Sequence, residues 1–400
     1  MNKKEIMQSR LVCLFFFLRI AVIPCDPIYS NSQNIGFRSV RFVSEKVGFI
    51  AGPQGVYYSE DGGGTWNALP LISKSSLYKL GGVEGWESHF YQEGKIIWAD
   101  SEIALIRGSK KLLVARVRSG KTEEVSTSDN TYSSLRRVTF VNSKEGWGIS
   151  DEGVYKTIDG GMTWKFVDCD AHGTQEIELE KNRNIFRFTE LLKTFTLQDL
   201  LLVTFTGEVC LTKNGGCAWE KRRVGAEGEV TGTYGLGFVD DKIGWIHTLS
   251  PPMLFVTYDG GKHWKQTGSL QSVCDALIAV SFSTSQCGWA SAAKMLNVMP
   301  SSCVDEKSGK AAPCHEQSKP TGPEKSKGEM ILHTQDFGES WQVQLKGIKD
   351  FLIDIQALSN GNVWAVGYTR GVVLHSKDFG KNWSVIKFDK DRIVGSRLSK

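Results

Sequence analysis

Short runs of alternating apolar and polar residues recur along the chain and predict β-strands. Val40–Val43 reads apolar, polar, apolar, apolar, and Val138–Val141 repeats this order. Each run is followed by a short polar turn and then by Gly-Phe at Gly48 or Gly-Trp at Gly146, which opens a second run. A period of two is typical of strands with one buried face. We therefore predict tightly connected strand pairs, with further second strands opening at Gly244-Trp245, Gly288-Trp289 and Asn362-Val363-Trp364.

A second motif occurs six times, after most of these strand pairs. It reads Ser or Thr, any residue, Asp or Asn, any residue, Gly, any residue, a small or polar residue, and Trp. The third positions are Asp61, Asp159, Asn214, Asp259, Asp336 and Asp378, and the closing tryptophans are Trp66, Trp164, Trp219, Trp264, Trp341 and Trp383. An Asp side chain can accept hydrogen bonds from N–H groups of a tight turn, Gly supplies a positive φ, and Trp buries a large face. We therefore interpret these residues as structural and not catalytic.

The spacing of the second motif predicts seven repeated units. Asp61 and Asp159 are 98 residues apart, twice a repeat of about 45–50 residues, so we place a degenerate copy at Arg116–Glu123. Asp259 and Asp336 are 77 residues apart, which is one repeat plus an insertion of about 30 residues. Each unit has room for four short strands, the content of one propeller blade. The predicted fold is all-β: a seven-bladed β-propeller of four-stranded antiparallel blades.

Composition agrees with one repetitive domain. The 400 residues include 42 Gly, 12 Trp and 10 Pro, and 40% of residues are hydrophobic, which excludes wholesale disorder. Length alone would suggest two or three domains, but the repeat accounts for ten of the 12 Trp and for many of the glycines. The formal net charge of +4 includes no dense Lys/Arg block, so we predict no nucleic-acid partner.

The N-terminus resembles a secretory signal. Lys3 and Lys4 precede the apolar stretch Leu11–Leu18, which Arg19 separates from Ile20–Ile23. A positive segment followed by an apolar one is typical of a signal peptide; a buried first strand is the alternative. We predict a signal peptide at 1–30, the propeller at 31–388 and a tail at 389–400. Export to a periplasmic, lumenal or extracellular compartment follows, with membrane anchoring at the N-terminus and lipidation of Cys25 left open.

The cysteines are interpreted as disulfide partners because exported proteins can keep such bonds. The candidate pairs are Cys210/Cys217, Cys274/Cys287 and Cys303/Cys314, and their connectivity stays open. A metal site would need closely spaced ligands. Cys303, Cys314 and His315 lack a fourth ligand, so we predict neither a metal site nor a cofactor.

The six repeated segments resemble the Asp-box, or bacterial neuraminidase repeat, of sialidases, sortilins and xyloglucanases. Combined with the Gly-Trp pattern, as in Thr157–Trp164, they are more similar to the photosystem II stability and assembly factors and their non-photosynthetic bacterial relatives. The resemblance covers about residues 36–388 and implies a seven-bladed propeller. Unlike that family, the chain has no twin-Arg signal and carries a long insertion in blade six.

The strand order, A to D from the centre outward, places the two motifs at one end of the ring. The A–B turns and the Asp-boxes share this end, while the B–C turns and the D-to-A connections share the opposite one, where the resemblance implies ligand binding. In blade six the B–C turn is replaced by residues 292–329, rich in Lys, Ser and Pro. This insertion is either a flap over the binding end or a solvated insertion without a role.

Charged residues of the B–C turns are the candidate binding residues: Arg107, Lys110, Lys111, Asp151, Glu152 and Arg370. They would recruit a protein or an anionic partner, or they are ordinary solvated turn residues. No part of the sequence explains how the ring closes. Unless residues 29–36 add a strand, closure would depend on side-chain packing between blades one and seven.

Two functions are compatible with these patterns. The first is an exported, non-catalytic scaffold for protein binding or assembly, whose partner is an extracytoplasmic protein or membrane-protein complex. The second is a glycoside hydrolase of sialidase or xyloglucanase type, with carbohydrate as ligand. Sialidases need an Arg-Ile-Pro signature near the first strand, which is missing, and no pair of carboxylates can be directed at one bond. We therefore favour a protein that is not an enzyme.

Overall fold

Seven antiparallel sheets follow one another along the chain, each forming one blade of a propeller. The computed structural model describes residues 36–52, 55–69, 94–108, 111–125, 131–168, 189–230, 232–294, 328–388 and 393–398. Among these residues, helix is limited to the single turn α1, Thr131–Ser134, and no helix is long and apolar enough to cross a membrane. The predicted all-β seven-bladed propeller is confirmed.

The strands of each blade run from the channel outward in chain order. Blade 1 contains β1 (Ser39–Phe42), β2 (Gly48–Gly52), β3 (Gly55–Ser59) and β4 (Asn67–Leu69). Blade 2 contains β5 (Ile96–Ala99), β6 (Ile103–Arg107), β7 (Leu112–Arg116) and β8 (Lys121–Glu124). Blade 3 contains β9 (Arg137–Phe140), β10 (Gly146–Ile149), β11 (Val154–Thr157) and β12 (Lys165–Phe166). Blade 4 contains β13 (Thr189–Thr194), β14 (Leu200–Thr204), β15 (Glu208–Thr212) and β16 (Glu220–Arg223).

The last three blades repeat this order. Blade 5 contains β17 (Thr233–Phe238), β18 (Gly244–Thr248), β19 (Leu254–Thr257) and β20 (Lys265–Gln266). Blade 6 contains β21 (Ala276–Phe282), β22 (Gly288–Lys294), β23 (Gly328–Thr334) and β24 (Gln342–Ile348). Blade 7 contains β25 (Leu352–Ala357), β26 (Val363–Gly367), β27 (Val373–Ser376), β28 (Trp383–Phe388) and β29 (Ile393–Leu398).

Two boundaries differ from the sequence prediction. Strands β22 and β23 extend into the predicted insertion and pair from Gly288↔Thr334 to Lys294↔Gly328. The connection is therefore shorter than 292–329, and residues 295–327 lie outside the described part. The predicted tail contains β29, which pairs with β28 as a fifth strand.

Hydrogen bonds place the Asp-box turns and the A–B turns at one end of the ring, here called the Asp-box rim. In blade 3 the amide of Gly160 donates to Lys144 O at 2.8 Å, and in blade 5 the amide of Gly260 donates to Lys242 O at 2.8 Å. All six Asp-boxes have an equivalent bond. The degenerate copy in blade 2 also forms the C–D turn, where Gly120 N donates to Val117 O at 3.1 Å. The opposite end, with the B–C turns, is called the B–C rim.

The ring closes between blades 7 and 1 through side-chain hydrogen bonds as well as packing. Asp354 of β25 accepts hydrogen bonds from Val40 N and Ser39 Oγ, both at 3.0 Å. Gln356 accepts from Phe42 N at 2.5 Å and donates to Phe42 O at 3.0 Å. The inner strand of blade 1 is thus tied to that of blade 7 without a shared strand.

Candidate functional site

Each Asp-box side chain accepts hydrogen bonds from its own turn. In blade 3, Asp159 Oδ1 accepts from Thr157 Oγ1 at 2.8 Å and from Thr163 N at 2.9 Å, and Oδ2 accepts from Thr163 Oγ1. Gly161 N donates to Thr157 Oγ1 at 2.9 Å, and Gly161 has the positive φ that the turn requires, 87°. Burial opposes ionisation of Asp159, but the hydrogen bonds from Thr163 and Thr157 outweigh it and lower the pKa. The carboxylate thereby stabilises the turn that presents it.

The closing tryptophans pack behind these turns. Trp66, Trp164 and Trp383 are buried, whereas Trp219, Trp264 and Trp341 are half-buried. The indole N–H of Trp164 donates to Gly161 O at 3.1 Å, and three of the other boxes have the same bond. The tryptophans thus brace the turns from inside the blades.

We expect part of the stability of the propeller to disappear in acid, with Asp259 as the clearest case. Burial opposes its ionisation, but hydrogen bonds from His263 and Thr257 lower the pKa of Asp259 to about 2. A folded-state pKa below the unfolded one stabilises the protein at neutral pH, and this stabilisation is lost as the pH falls from about 4 to about 2. The contribution of the Asp259 charge is measured by comparing the thermal unfolding of Asp259→Asn with that of wild type. Asparagine is a suitable replacement because it occupies the same position of the Asp-box at Asn214. The difference in Tm should shrink over this range; a constant difference would contradict the prediction.

The B–C turn residues predicted from the sequence lie on the B–C rim, but they engage separate local partners. Lys111 pairs with Glu124 at 2.9 Å, and Asp151 pairs with Arg136 at 2.7 Å. Arg107 is buried, donates to Leu135 O and lies over the Tyr132 ring, 4.7 Å from its centroid. Glu152 accepts from Tyr155 Oη at 3.4 Å, and the amide of Arg370 donates to Asp350 at 3.1 Å. Lys110 lies outside the described residues, and the role of this set as a binding site stays a prediction.

Four cations on the inner strands of blades 1 to 4 form a cluster that sequence reasoning missed. They are Arg41 on β1, Lys95 directly before β5, Arg137 at the start of β9 and Lys193 on β13. Arg41 is exposed, Lys95 and Lys193 are half-buried, and Arg137 is buried. We call this cluster the basic channel.

The inner strands carry these residues to the channel, where the charges of different blades influence each other's pKa. Burial lowers the pKa of Lys95; Asp354 of blade 7 opposes this, while Arg41 and Arg137 lower it further. Burial lowers the pKa of His247 in blade 5 to about 4, and Lys95 contributes to this decrease. The pKa of Lys95 thus responds to charges of blades 1, 3 and 7.

The pKa of Lys193, in blade 4, also responds to a charge of another blade. Burial, and then the charge of Arg41, lower the pKa of Lys193. Arg41 and Lys193 belong to blades 1 and 4, which are not neighbours, so the charge of Arg41 acts on Lys193 from another side of the ring. Each is the next-to-last residue of its inner strand, whereas Lys95 and Arg137 lie at the strand starts on the B–C rim. At about 3.3 Å per residue, the two layers are about 7 Å apart along the channel.

The positive charge of the channel is poorly compensated. In the described part of the chain, the side chains of Arg41 and Lys95 have no hydrogen-bond or ion-pair partner, and the Lys193 ammonium lies 5.6 Å from the Phe195 ring centroid. Asp354 is the acid that acts on Lys95, and its carboxylate already accepts bonds from blade 1. The same described residues contain no group of three or more ligands that could hold a metal. The arrangement is suited to holding an anion.

Comparisons with known proteins find the same fold in other propellers. The model of the BNR/Asp-box repeat matches residues 57–68. A search of curated protein sequences finds no match. YCF48 bound to D1 peptide is 14% identical, with a TM-score of 0.54 over 86% of this chain and 94% of that chain. YCF48 from Cyanidioschyzon merolae is 13% identical, with a TM-score of 0.57 over 86% of this chain and 96% of that chain.

A glycoside hydrolase shares the fold as well. The Niastella koreensis GH74 enzyme is 10% identical, with a TM-score of 0.53 over 92% of this chain but only 59% of the enzyme. At these identities the similarity concerns the fold. The chain is therefore a seven-bladed propeller that carries Asp-box repeats and shares its architecture with YCF48.

Proposed function

We propose that this protein is an exported, non-catalytic propeller that serves as a protein-binding or assembly scaffold. In this proposal, an acidic segment of an extracytoplasmic protein or membrane-protein complex binds in the basic channel. The observation that carries it is the group of uncompensated cations at Arg41, Lys95 and Lys193. Cations that lack a partner gain most from a ligand that brings its own negative charges.

The arrangement of the cations favours entry from the B–C rim. Lys95 and Arg137 lie at this end, and Arg41 and Lys193 lie deeper. Alternate residues of an extended peptide are also about 7 Å apart. Two acidic side chains at such positions could therefore bind one layer of cations each. YCF48, a protein of the same fold, binds a D1 peptide, which supports a peptide ligand here.

Peptide binding tests the proposal directly. We expect a fluorescently labelled peptide of alternating Glu and Ser to bind wild type, with affinity falling as salt rises. Arg41→Ala and Lys193→Ala should each weaken binding about tenfold, the effect of losing one charge-assisted hydrogen bond. Fluorescence anisotropy measures both. Arg118→Ala is the matched control, because Arg118 is 82% exposed in the C–D turn of blade 2 and should leave binding unchanged.

Two outcomes would contradict the proposal. One is equal binding of the acidic peptide and a Gln/Ser peptide; the other is unchanged affinity in Arg41→Ala and Lys193→Ala. A panel of chromogenic glycosides examines the second candidate, glycoside hydrolysis, which the fold of the GH74 enzyme favours. Turnover above blank that is lost in Asp151→Asn would support hydrolysis in place of scaffolding.

A further inference from the structure

Blade 4 ends in a strand whose outer edge is open. In the described part of the chain, β16 is the last strand of its sheet and pairs with β15 alone. The amide of Val224, directly after β16, donates to Gly207 O at 2.8 Å. The backbone groups of successive residues in an antiparallel strand point alternately to either side. Counting back from Val224, the N–H and C=O groups of Lys221 and Arg223 therefore face away from β15, toward the open edge.

A groove of about 330 Å³ lies beside this edge and is lined by Glu208, Cys210, Lys221, Arg222 and Arg223. Glu208 is directly opposite Arg223, and Cys210 is directly opposite Lys221. Side chains of directly opposite residues share a face of the sheet, so these four lie on the same side of blade 4. Cys210 is buried in the apolar cluster shared with blade 3, which leaves the charged side chains to form the outer part of the groove.

The charges around the groove are mostly positive and incompletely paired. Arg222 pairs with Glu220, and Arg223 Nη2 lies 3.4 Å from Glu208 Oε1. Lys221 is exposed, and in the part of the chain that the structure describes its ammonium makes no hydrogen bond or ion pair. Lys221 O accepts only from the neighbouring Arg222 side chain, at 3.0 Å. The open edge thus combines available backbone groups with an excess of positive charge.

Another blade of this propeller shows that an outer strand accepts a fifth strand. In blade 7, β29 pairs antiparallel with β28 over six residues. A second copy of β16 is a poor occupant of the blade 4 edge, because it would place Lys and Arg side chains opposite Lys and Arg. Charge complementarity requires an acidic segment instead.

We propose that β16 binds an extended acidic segment of a partner protein as a fifth, antiparallel strand of blade 4. Backbone pairing with Lys221 and Arg223 supplies affinity, and carboxylates at alternate positions of the segment lie opposite these two cations. The inference does not depend on the function proposed above, because β16 is an outermost strand and the basic channel is formed by inner strands.

Hydrogen exchange tests the inference in a variant that lacks two channel cations, Arg41→Ala/Lys193→Ala. The probe is a peptide of alternating Glu and Thr, because Thr favours an extended chain. We expect saturating peptide to slow exchange of the Lys221 and Arg223 amides at least about tenfold, since both become donors to the added strand. The amides of β12, the outer strand of blade 3, should exchange at an unchanged rate.

Two matched comparisons separate backbone pairing from charge attraction, with fluorescence anisotropy as the measurement. Methyl groups on the Glu nitrogens of the peptide block donation to β16, whereas methyl groups on the Thr nitrogens project to the free side of the added strand. We expect the first peptide to bind at least about tenfold more weakly than the second. Lys221→Glu combined with Arg223→Glu should also weaken binding at least about tenfold, while Lys165→Glu, at an exposed cation of β12, should not.

Equal affinity of the two methylated peptides, or unchanged exchange at Lys221 and Arg223, would overturn the inference. So would binding that appears only after Glu176, Glu178 and Glu180 are replaced with Gln, because an acidic stretch of this chain would then be the occupant. Failure of the channel proposal leaves the protection of β16 intact, and failure of this inference leaves binding in the channel intact. The two results are therefore visible separately.

Discussion

Replacing Trp364 with alanine is expected to lower the free energy of unfolding by about 3–5 kcal/mol, the usual cost of deleting a buried aromatic ring. Trp364 is fully buried on β26. Its ring stacks on His375, with centroids 3.6 Å apart, and on Phe42 of blade 1 at 4.6 Å. It also meets Trp66 of blade 1 edge to face at 5.6 Å. Removing the indole therefore leaves a cavity where the first and last blades join.

Denaturant unfolding followed by circular dichroism measures this loss. Trp364→Phe keeps part of the stacked surface and should cost less than Trp364→Ala. Phe166→Ala is the control for an aromatic residue at the surface, because Phe166 is 40% exposed, and should cost under about 1 kcal/mol. If Trp364→Ala unfolds at the same denaturant concentration as Phe166→Ala, the aromatic cluster does not hold the ring closed.

Ring closure also shows what the sequence could and could not predict. The blades were predictable because the Asp-box and the Gly-Trp pattern repeat the same local turn chemistry, as Asp159 and Trp164 show. The hydrogen bonds of Asp354 and Gln356 to β1 join residues more than 300 positions apart and belong to no repeat. The fifth strand of blade 7, β29, likewise lies beyond the last motif.

The cysteine pairs predicted from spacing are wrong where the structure describes them. Cys210, Cys274 and Cys287 are free thiols, while Cys217 is disulfide-bonded to a cysteine that is none of these three. Cys274 precedes β21 on one rim and Cys287 follows it on the other, and seven residues of strand span about 23 Å. A disulfide needs Cα atoms within about 7 Å. Cys303 and Cys314 lie outside the described residues.

The predicted pair Cys210/Cys217 is wrong for a different reason. Cys210 is buried in β15, within the apolar cluster that includes Trp147 and Ile149 of blade 3, whereas Cys217 is exposed in the Asp-box turn. Closeness in sequence therefore did not mean that the side chains face each other. Burial raises the pKa of the Cys210 thiol to about 12, as suits a packing residue.

The basic channel was not predictable because the pattern along one strand does not reveal what lies across the ring. Arg41 is the polar position in the alternation of Val40–Val43, which an ordinary solvated strand would also show. Its relation to Lys193 arises only when blades 1 and 4 face each other. Charged residues at equivalent positions of several inner strands are the signal that could have revealed the cluster.

Replacing Asp350 with alanine is the second substitution with a large expected effect, about 3 kcal/mol or more of unfolding free energy. Asp350 is 4% exposed and lies two residues before the start of β25. Its carboxylate accepts hydrogen bonds from the amides of Phe351, Thr369, Arg370 and Val372, at 2.8, 2.8, 3.1 and 2.9 Å. The Thr369 hydroxyl also donates to it. Alanine would leave the buried amide of Phe351 and three partly buried amides of the B–C turn of blade 7 without this acceptor.

The surroundings show how closely this turn is fitted to the carboxylate. A Cβ at Gly367 would lie 2.0 Å from Asp350 Oδ2, so the position requires glycine. Burial, and then the charge of Asp350, raise the pKa of Glu329 well above its usual range. Glu329 is therefore easier to protonate than an ordinary glutamate.

The consequence for function is that Asp350 positions Arg370, one of the predicted rim residues. Denaturant unfolding measures the stability lost in Asp350→Ala. Amide hydrogen exchange measures the local effect: it should accelerate at Thr369, Arg370 and Val372 more than in blade 3. Asp151→Ala is the matched control on the same rim, because Asp151 is 62% exposed in its ion pair and should cost about 1 kcal/mol or less. Equal stability of the two variants would mean that the buried carboxylate does not hold the turn, and Arg370 would then be presented by the strands alone.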